Sequence, residues 1–118
     1  MNMTKIFAAA VSFVALSSAA FAADQDFTLK NRTGYDIKEV YVSRPSAKSW
    51  GNDILGDGIL SNGGAKKVRF KPTTEACKWQ LQVIFSDGEA VEWDAFDLCK
   101  VHTITLHYEN NQATAEEE

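Results

Sequence analysis

The chain has 118 residues and a mass of 13.0 kDa, which allows one small domain and excludes most multi-domain enzymes. Hydrophobic residues make up 45% and aromatic residues 11%, which excludes a disordered chain. The net charge of −4 argues against a nucleic acid or an anionic membrane as partner.

The first 22 residues are typical of a secretory signal peptide. Lys5 supplies the positive charge, residues 6–15 form a short apolar run, and residues 20–22 (Ala-Phe-Ala) match a cleavage site, so we expect cleavage after Ala22. The run is too short for a transmembrane helix, and no second run in the sequence is long enough. We therefore expect a periplasmic or secreted protein whose mature part has no membrane span.

The chain contains two cysteines, Cys77 and Cys99. An even number of cysteines in an oxidising compartment predicts a disulfide. A metal site would need more ligands, and neither His102 nor His107 has the usual spacing. A structural bridge of this loop size would contribute about 3 kcal/mol in the chain-entropy model.

Alternating apolar and polar residues predict strands along most of the mature chain. Residues 26–31 alternate, and a turn follows at residues 31–34. This Asn-Arg-Thr-Gly turn also contains an N-glycosylation triplet, although turn chemistry alone explains it. Residues 35–43 predict the second strand, in which a bulge at residues 38–39 would restore the alternation.

Residues 49–64 are irregular and end in a strong turn cluster. Residues 65–71 then alternate again. They carry a basic stripe formed by Lys66, Lys67, Arg69 and Lys71. Either this stripe meets an acidic partner, such as the glutamates at residues 116–118, or it protects an edge strand from pairing with another sheet.

The best-defined unit is a hairpin over residues 77–98. Residues 86–88 (Ser-Asp-Gly) predict a three-residue loop whose glycine is left-handed. An odd loop length pairs Leu81 with Trp93 and keeps the large apolar side chains on one face. A change of parity further along predicts a bulge or bend that brings the two sulfur atoms together.

Residues 101–109 predict the last strand. Residues 110–118 predict a disordered acidic tail, because they contain no apolar residue larger than alanine and end in three glutamates. Residues 23–109 then form a single domain of about seven short strands. The expected fold class is all-β, an antiparallel β-sandwich or small barrel with one disulfide.

No motif in the sequence assigns catalytic chemistry. His102 has the parity of the apolar residues in the last strand, which predicts a core histidine; a hydrolase or lyase site that combines it with Asp97 is the alternative. Asn52, Asp53, Asp57 and Asp97 could converge on calcium, but their spacing does not match a calcium loop. We therefore expect neither a metal nor a cofactor.

Exposed aromatic residues give the strongest functional signal. Tyr41 has the opposite parity to the neighbouring valines and should face away from the core, while Tyr35 begins the second strand and Trp50 lies in the irregular segment. Binding surfaces use such side chains. The predicted contact surface combines Tyr35, Tyr41, Trp50 and Asp53.

The succession of these residues resembles a family of small exported bacterial proteins. The matching motifs are Phe-x-Leu-x-Asn-x-Thr-Gly-Tyr-Asp-Ile from Phe27, Trp-Gly-x-Asp-Ile-Leu-Gly from Trp50 and Cys-x-Trp-x-Leu-x-Val from Cys77, followed by Asp-Gly and Leu-Cys. The resemblance covers nearly all of the mature chain and implies a single β-domain behind a signal peptide, with no established activity. Arg44 before Pro45 departs from the Ser-Pro that is more usual in the family.

Such proteins are sometimes called argininosuccinate lyase. The true lyases are long helical tetramers with a Gly-Ser-Ser-x-Met loop, and this chain has neither that length, nor the loop, nor helical periodicity. The expected function is binding rather than catalysis. The expected partner is a protein or a cell-envelope ligand and not a nucleic acid.

Overall fold

Seven strands and no helix make up the secondary structure of residues 23–118, which the computed structural model describes. The strands are β1 (Phe27–Asn31), β2 (Ile37–Ser43), β3 (Ala65–Val68), β4 (Lys78–Phe85), β5 (Ala90–Asp97), β6 (Thr103–Glu109) and β7 (Gln112–Glu117). The predicted signal peptide and its cleavage after Ala22 lie outside the described residues. Within those residues, none belongs to a helix that could cross a membrane.

The strands form two sheets that enclose one core. The four-stranded sheet has the order β3-β1-β6-β7, and the three-stranded sheet has the order β2-β4-β5. The predicted all-β sandwich of about seven strands is confirmed, with one exception to its antiparallel pairing. β1 and β6 run parallel, with Thr28 opposite Thr103, and the three-stranded sheet together with β3 forms the long crossover connection that a parallel pair needs.

Inward side chains of both sheets build the core. Alternation along β1 and β6 places the fully buried Leu29 and Ile104 next to each other. The three-stranded sheet contributes Val40, Val83 and Leu81, each no more than 1% exposed. At about 25 cal/mol per Å² of apolar surface, such burial is the main favourable term in the folding of the domain.

The β4–β5 hairpin has the register that the sequence predicts. Leu81 lies opposite Trp93, and Val83 lies opposite Val91. Gly88 has a φ of 94°, the left-handed conformation that a three-residue hairpin loop requires.

A disulfide joins Cys77 to Cys99 at the base of this hairpin, as predicted, with 5.2 Å between the Cα atoms. The Leu98 N–H donates to the Cys77 carbonyl over 2.8 Å, which extends the pairing beyond the two strands. A shift of register between the pairs Trp79–Phe96 and Leu81–Trp93 leaves one extra residue in β5, which is the irregularity that the change of parity predicted.

The bulge predicted in β2 is also present, because the register with β4 shifts between Ile37 and Glu39. The free edge of β2 is covered in part by the irregular segment. Ile37 exchanges two backbone hydrogen bonds with Leu60, of 3.0 and 2.8 Å. This covering leaves less of the edge open to another sheet.

The prediction of a disordered tail at residues 110–118 is wrong. β7 pairs antiparallel with β6, and Asn110 and Asn111 form the turn between them with φ angles of 53° and 62°. Asparagine tolerates this left-handed conformation. Ala113 and Ala115 pack against the core, but alanines bury so little apolar area that their alternation is a weak strand signal. The domain therefore extends beyond residue 109.

One side of the sandwich is closed by a hydrogen bond between the sheets. The buried Trp93 of β5 donates its indole N–H to the Thr114 carbonyl of β7 over 2.8 Å. Since β5 and β7 are edge strands of different sheets, this bond joins the two sheets along that side.

Candidate functional site

The four residues predicted to form one contact surface do not share one location. Tyr35 lies just before β2, at the end of the sandwich where β1 turns into β2. Tyr41 lies opposite Gln82, on the outer face of the three-stranded sheet. Asp53 lies beside β2, and Trp50 is half-buried in the preceding loop.

Asp53 attaches the loop to the strand. Its Oδ1 accepts hydrogen bonds from the Val40 and Leu55 N–H groups, at 2.9 and 3.0 Å. The Ile54 N–H in turn donates to the Val40 carbonyl over 2.9 Å. Such an arrangement satisfies backbone groups at the edge of the sheet next to its bulge, so the carboxylate has a structural role.

Tyr41 is bound to a neighbour on its own strand. Its hydroxyl donates to a carboxylate oxygen of Glu39. This hydrogen bond, with burial and the charges of Glu39 and Asp53, raises the pKa of Tyr41 to about 12. The phenol is therefore neutral at physiological pH.

The exposed Tyr35 belongs to an aromatic cluster at one end of the sandwich. Tyr35 is 58% exposed as a residue, and its ring meets the buried Phe85 edge-on, with 5.6 Å between the ring centroids. Phe85 also lies 5.6 Å from Tyr108. We call Tyr35, Phe85 and Tyr108 the tyrosine cluster, and the end of the sandwich that carries it the tyrosine end.

Each ring of the tyrosine cluster comes from a strand end or a turn. Tyr35 precedes β2, and Phe85 is the last residue of β4 before the Ser-Asp-Gly loop. Tyr108 is the second-last residue of β6, just before the β6–β7 turn. Three chain reversals therefore converge here, which is where a sandwich presents its contact loops.

A buried polar network holds Tyr35 in place. Asn31 is fully buried, and its Nδ2 donates to the carbonyls of Tyr35 and Leu60 at 2.8 and 2.9 Å. Its Oδ1 accepts from the Thr33 N–H and hydroxyl at 3.0 and 2.7 Å. In the folded chain the Asn31 amide is thus fully engaged and closed to glycosylation, which supports the turn interpretation of this triplet.

Acidic side chains line the tyrosine end. The Tyr108 hydroxyl donates to Glu89 Oε2 over 3.0 Å. Burial, with this bond and the Glu89 charge, raises the pKa of Tyr108. Asp87 accepts from the Glu89 N–H at 2.9 Å. A concavity of about 120 Å³ lies between the cluster and these carboxylates, bordered by Asn111.

The alternative catalytic site, which would combine His102 with Asp97, is not assembled in the described part of the chain. His102 is exposed rather than in the core, because β6 begins one residue later and His102 lies beyond the buried layer. Its backbone carbonyl accepts from the Thr28 N–H at 2.9 Å. Asp97 is engaged elsewhere, since its Oδ1 accepts from the Cys99 N–H at 3.1 Å.

In residues 23–118, one group of three potential metal ligands converges: Cys77, Asp97 and Cys99. Both sulfur atoms are consumed by the disulfide, so they are not thiolate ligands. Asp53 and Asp57 do not belong to such a group in this part of the chain.

The basic stripe and the terminal glutamates lie at opposite edges of the four-stranded sheet. β3 carries Lys66 and Lys67 at one edge, and β7 carries Glu116 at the other. Glu116 instead lies 3.4 Å from His107 Nε2 of the adjacent strand β6. An intramolecular pairing of the stripe with these glutamates is thus not formed, and its position fits the protection of an edge strand.

Comparison with protein-family models, with curated proteins and with solved structures finds no match to this chain. The resemblance drawn from the sequence motifs therefore stays a prediction.

Proposed function

We propose that this protein is an exported, non-catalytic binding module that contacts its partner, a protein or cell-envelope ligand, through the tyrosine end. The observation that carries the proposal is the placement of Tyr35, 58% exposed on the rigid support of the buried Phe85. An exposed aromatic side chain of few rotamers offers a large contact area at a low cost in conformational entropy.

Export is supported by the disulfide between Cys77 and Cys99, because such bonds persist in oxidising compartments. The predicted signal peptide points to the same compartment. A role in binding is supported by the polar groups near the rings, which are held by bonds within the chain. Glu89, for example, is hydrogen-bonded to Tyr108.

Affinity capture from a cell-envelope fraction tests this proposal, with the oxidised chain as bait. The Tyr35→Ala variant should lose the captured partner. Tyr35 is exposed, and the bonds that fix it use its backbone carbonyl, so this variant should keep its fold.

A Trp50→Ala, Tyr41→Ala double variant is the matched control, because it removes two aromatic side chains away from the tyrosine end. Loss of the partner in the control alone would move the contact surface to Trp50 and Tyr41. Retention of the partner by both variants would overturn the proposed binding role of the aromatic residues.

A further inference from the structure

Three concavities meet at Tyr35. The most enclosed one, of about 120 Å³, lies between Tyr35 and Tyr108 and reaches down to Phe85. Two wider depressions flank it, one along the β6–β7 turn and one beside the β4–β5 loop. The tyrosine end therefore combines a small, deep space with a broad, shallow surface around it.

The groups around the small space favour a positive charge. Tyr35 and Tyr108 border it with aromatic rings, whose faces attract cations. Asp87 and Glu89 border it with carboxylates. Arg32 is the one basic residue lining the three concavities, and it borders only the depression along the β6–β7 turn.

The size of the space restricts its occupant. A volume of about 120 Å³ equals that of about four water molecules. This volume is enough for a guanidinium group, or for an ammonium group with its adjoining methylenes. A side chain that projects from a longer chain could fill the space while its backbone rests on the wider depressions.

We infer that this cavity receives a cationic side chain, arginine or lysine, of a partner polypeptide. This inference rests on the binding role proposed above and adds the chemical class of the group that is recognised. The net charge of −4 on the chain favours the approach of such a partner.

Defined peptides test this occupant in an NMR titration of the oxidised, isotopically labelled chain. The probe is a capped Gly-Gly-Arg-Gly-Gly peptide, compared with its lysine counterpart and with a peptide that carries citrulline, the neutral analogue of arginine. We expect saturable shifts at Tyr35, Glu89 and Tyr108 with the charged peptides only. Added salt should weaken the binding.

Two charge-neutralising variants of β5 and its loop sharpen the test. Glu89→Gln keeps an oxygen that can accept from Tyr108 and should weaken binding of the arginine peptide about tenfold. Glu92→Gln makes the same change of charge on the outer face of β5, opposite Gln82, and should leave the affinity unchanged. Tyr35→Phe should bind about as well as the wild type, and Tyr35→Leu several-fold less, because the ring supplies the attraction.

Equal binding of the citrulline peptide, or an equal loss in Glu89→Gln and Glu92→Gln, would overturn the cationic occupant. Methylguanidinium binding as tightly as the peptide would overturn the polypeptide source. If neither charged peptide binds while Tyr35→Ala still abolishes capture of an envelope partner, the cationic occupant fails and the proposed function stands. If Tyr35→Ala leaves capture intact, the proposed function fails as well.

Discussion

The two ends of this sandwich are held together in different ways. At the end opposite the tyrosine cluster, which we call the disulfide end, long connections between strands are tied by contacts between distant residues. The Cys77–Cys99 bridge is one of them, and Gln25 is another, since its Nε2 donates to the carbonyls of Thr74 and Ala76 at 3.1 and 2.9 Å. The Phe70 N–H also donates to Asp26 over 2.7 Å.

At the tyrosine end the chain reverses in three short turns, and local chemistry fixes two of them. Gly88 and the pair Asn110 and Asn111 adopt the positive φ angles that tight hairpins need. The third, between β1 and β2, is tied by the buried Asn31 side chain, which donates to the Leu60 carbonyl at a sequence separation of 29. The covalent bridge and the exposed tyrosine therefore lie at opposite ends of the molecule.

Among the variants that compare the two ends, removal of the disulfide should cause the largest loss of unfolding free energy. We expect the Cys77→Ser, Cys99→Ser double variant to lose about 3 kcal/mol of unfolding free energy, because the bridge restricts the unfolded chain. Urea unfolding followed by tryptophan fluorescence measures the loss. An unchanged midpoint would mean that Gln25 and Asp26 hold the disulfide end without the bridge.

Removal of the Asn31 side chain should give the next largest effect, now at the tyrosine end. Asn31→Ala leaves buried carbonyls and the Thr33 N–H without partners, at a cost of about 2 kcal/mol. Asn62→Ala is the control, since its Oδ1 accepts one exposed bond from the Gly34 N–H at 2.8 Å. Its loss should be about 0.5 kcal/mol. Equal losses in the two variants would contradict a special role for the buried network.

Two tryptophan hydrogen bonds allow a comparison of the β5–β7 side of the sandwich with the disulfide end. Trp93→Phe removes the bond to Thr114 and should cost about 1 kcal/mol while speeding amide hydrogen exchange in β7. Trp79→Phe removes a bond of similar length, 2.9 Å, to the Ala76 carbonyl. This second variant should leave exchange in β7 unchanged. Faster exchange of β7 in both variants would mean that the sandwich opens as one unit.

The smallest expected effect on stability comes from Tyr41, which lies away from both ends. Since its folded pKa is raised from 10.0 to about 12, its contribution to stability is complete below pH 10 and is lost as the pH rises towards 12. A spectrophotometric titration of tyrosinate, with Tyr41→Phe to identify the signal, measures this pKa. Glu39→Gln should lower it towards the ordinary value. An unchanged pKa in that variant would show that Glu39 is not the main cause.

Patterns within one hairpin were readable from the sequence because they depend on neighbours in the chain. The parity of Leu81 and Trp93 predicts their pairing, and the two cysteines at the hairpin base predict their bridge. The β2 bulge was readable for the same reason, as a break in the alternation between Ile37 and Val40.

Features that depend on distant residues were not readable. Tyr108 has the parity of a core residue, and only the fold places it beside Tyr35 and Glu89 at the tyrosine end. Asp53 stands in a polar loop, and only the fold shows that it satisfies the Val40 N–H. Of the predicted contact residues, Tyr35 alone lies at the tyrosine end. The sequence signal available for the rest of that site was an aromatic residue at the end of a strand with turn residues next to it.

The parallel pairing of β1 with β6 restricts the order in which the chain can reach its final structure. A polypeptide emerges with its N-terminus first, from the ribosome as from a translocation channel. β1 can then pair with β3 on one side. Its other edge stays unpaired until residues Thr103–Glu109 have emerged. The β4–β5 hairpin needs no later segment and can form before that moment. Completion of the four-stranded sheet therefore follows the emergence of β6 and β7, which come after the β4–β5 hairpin in the chain.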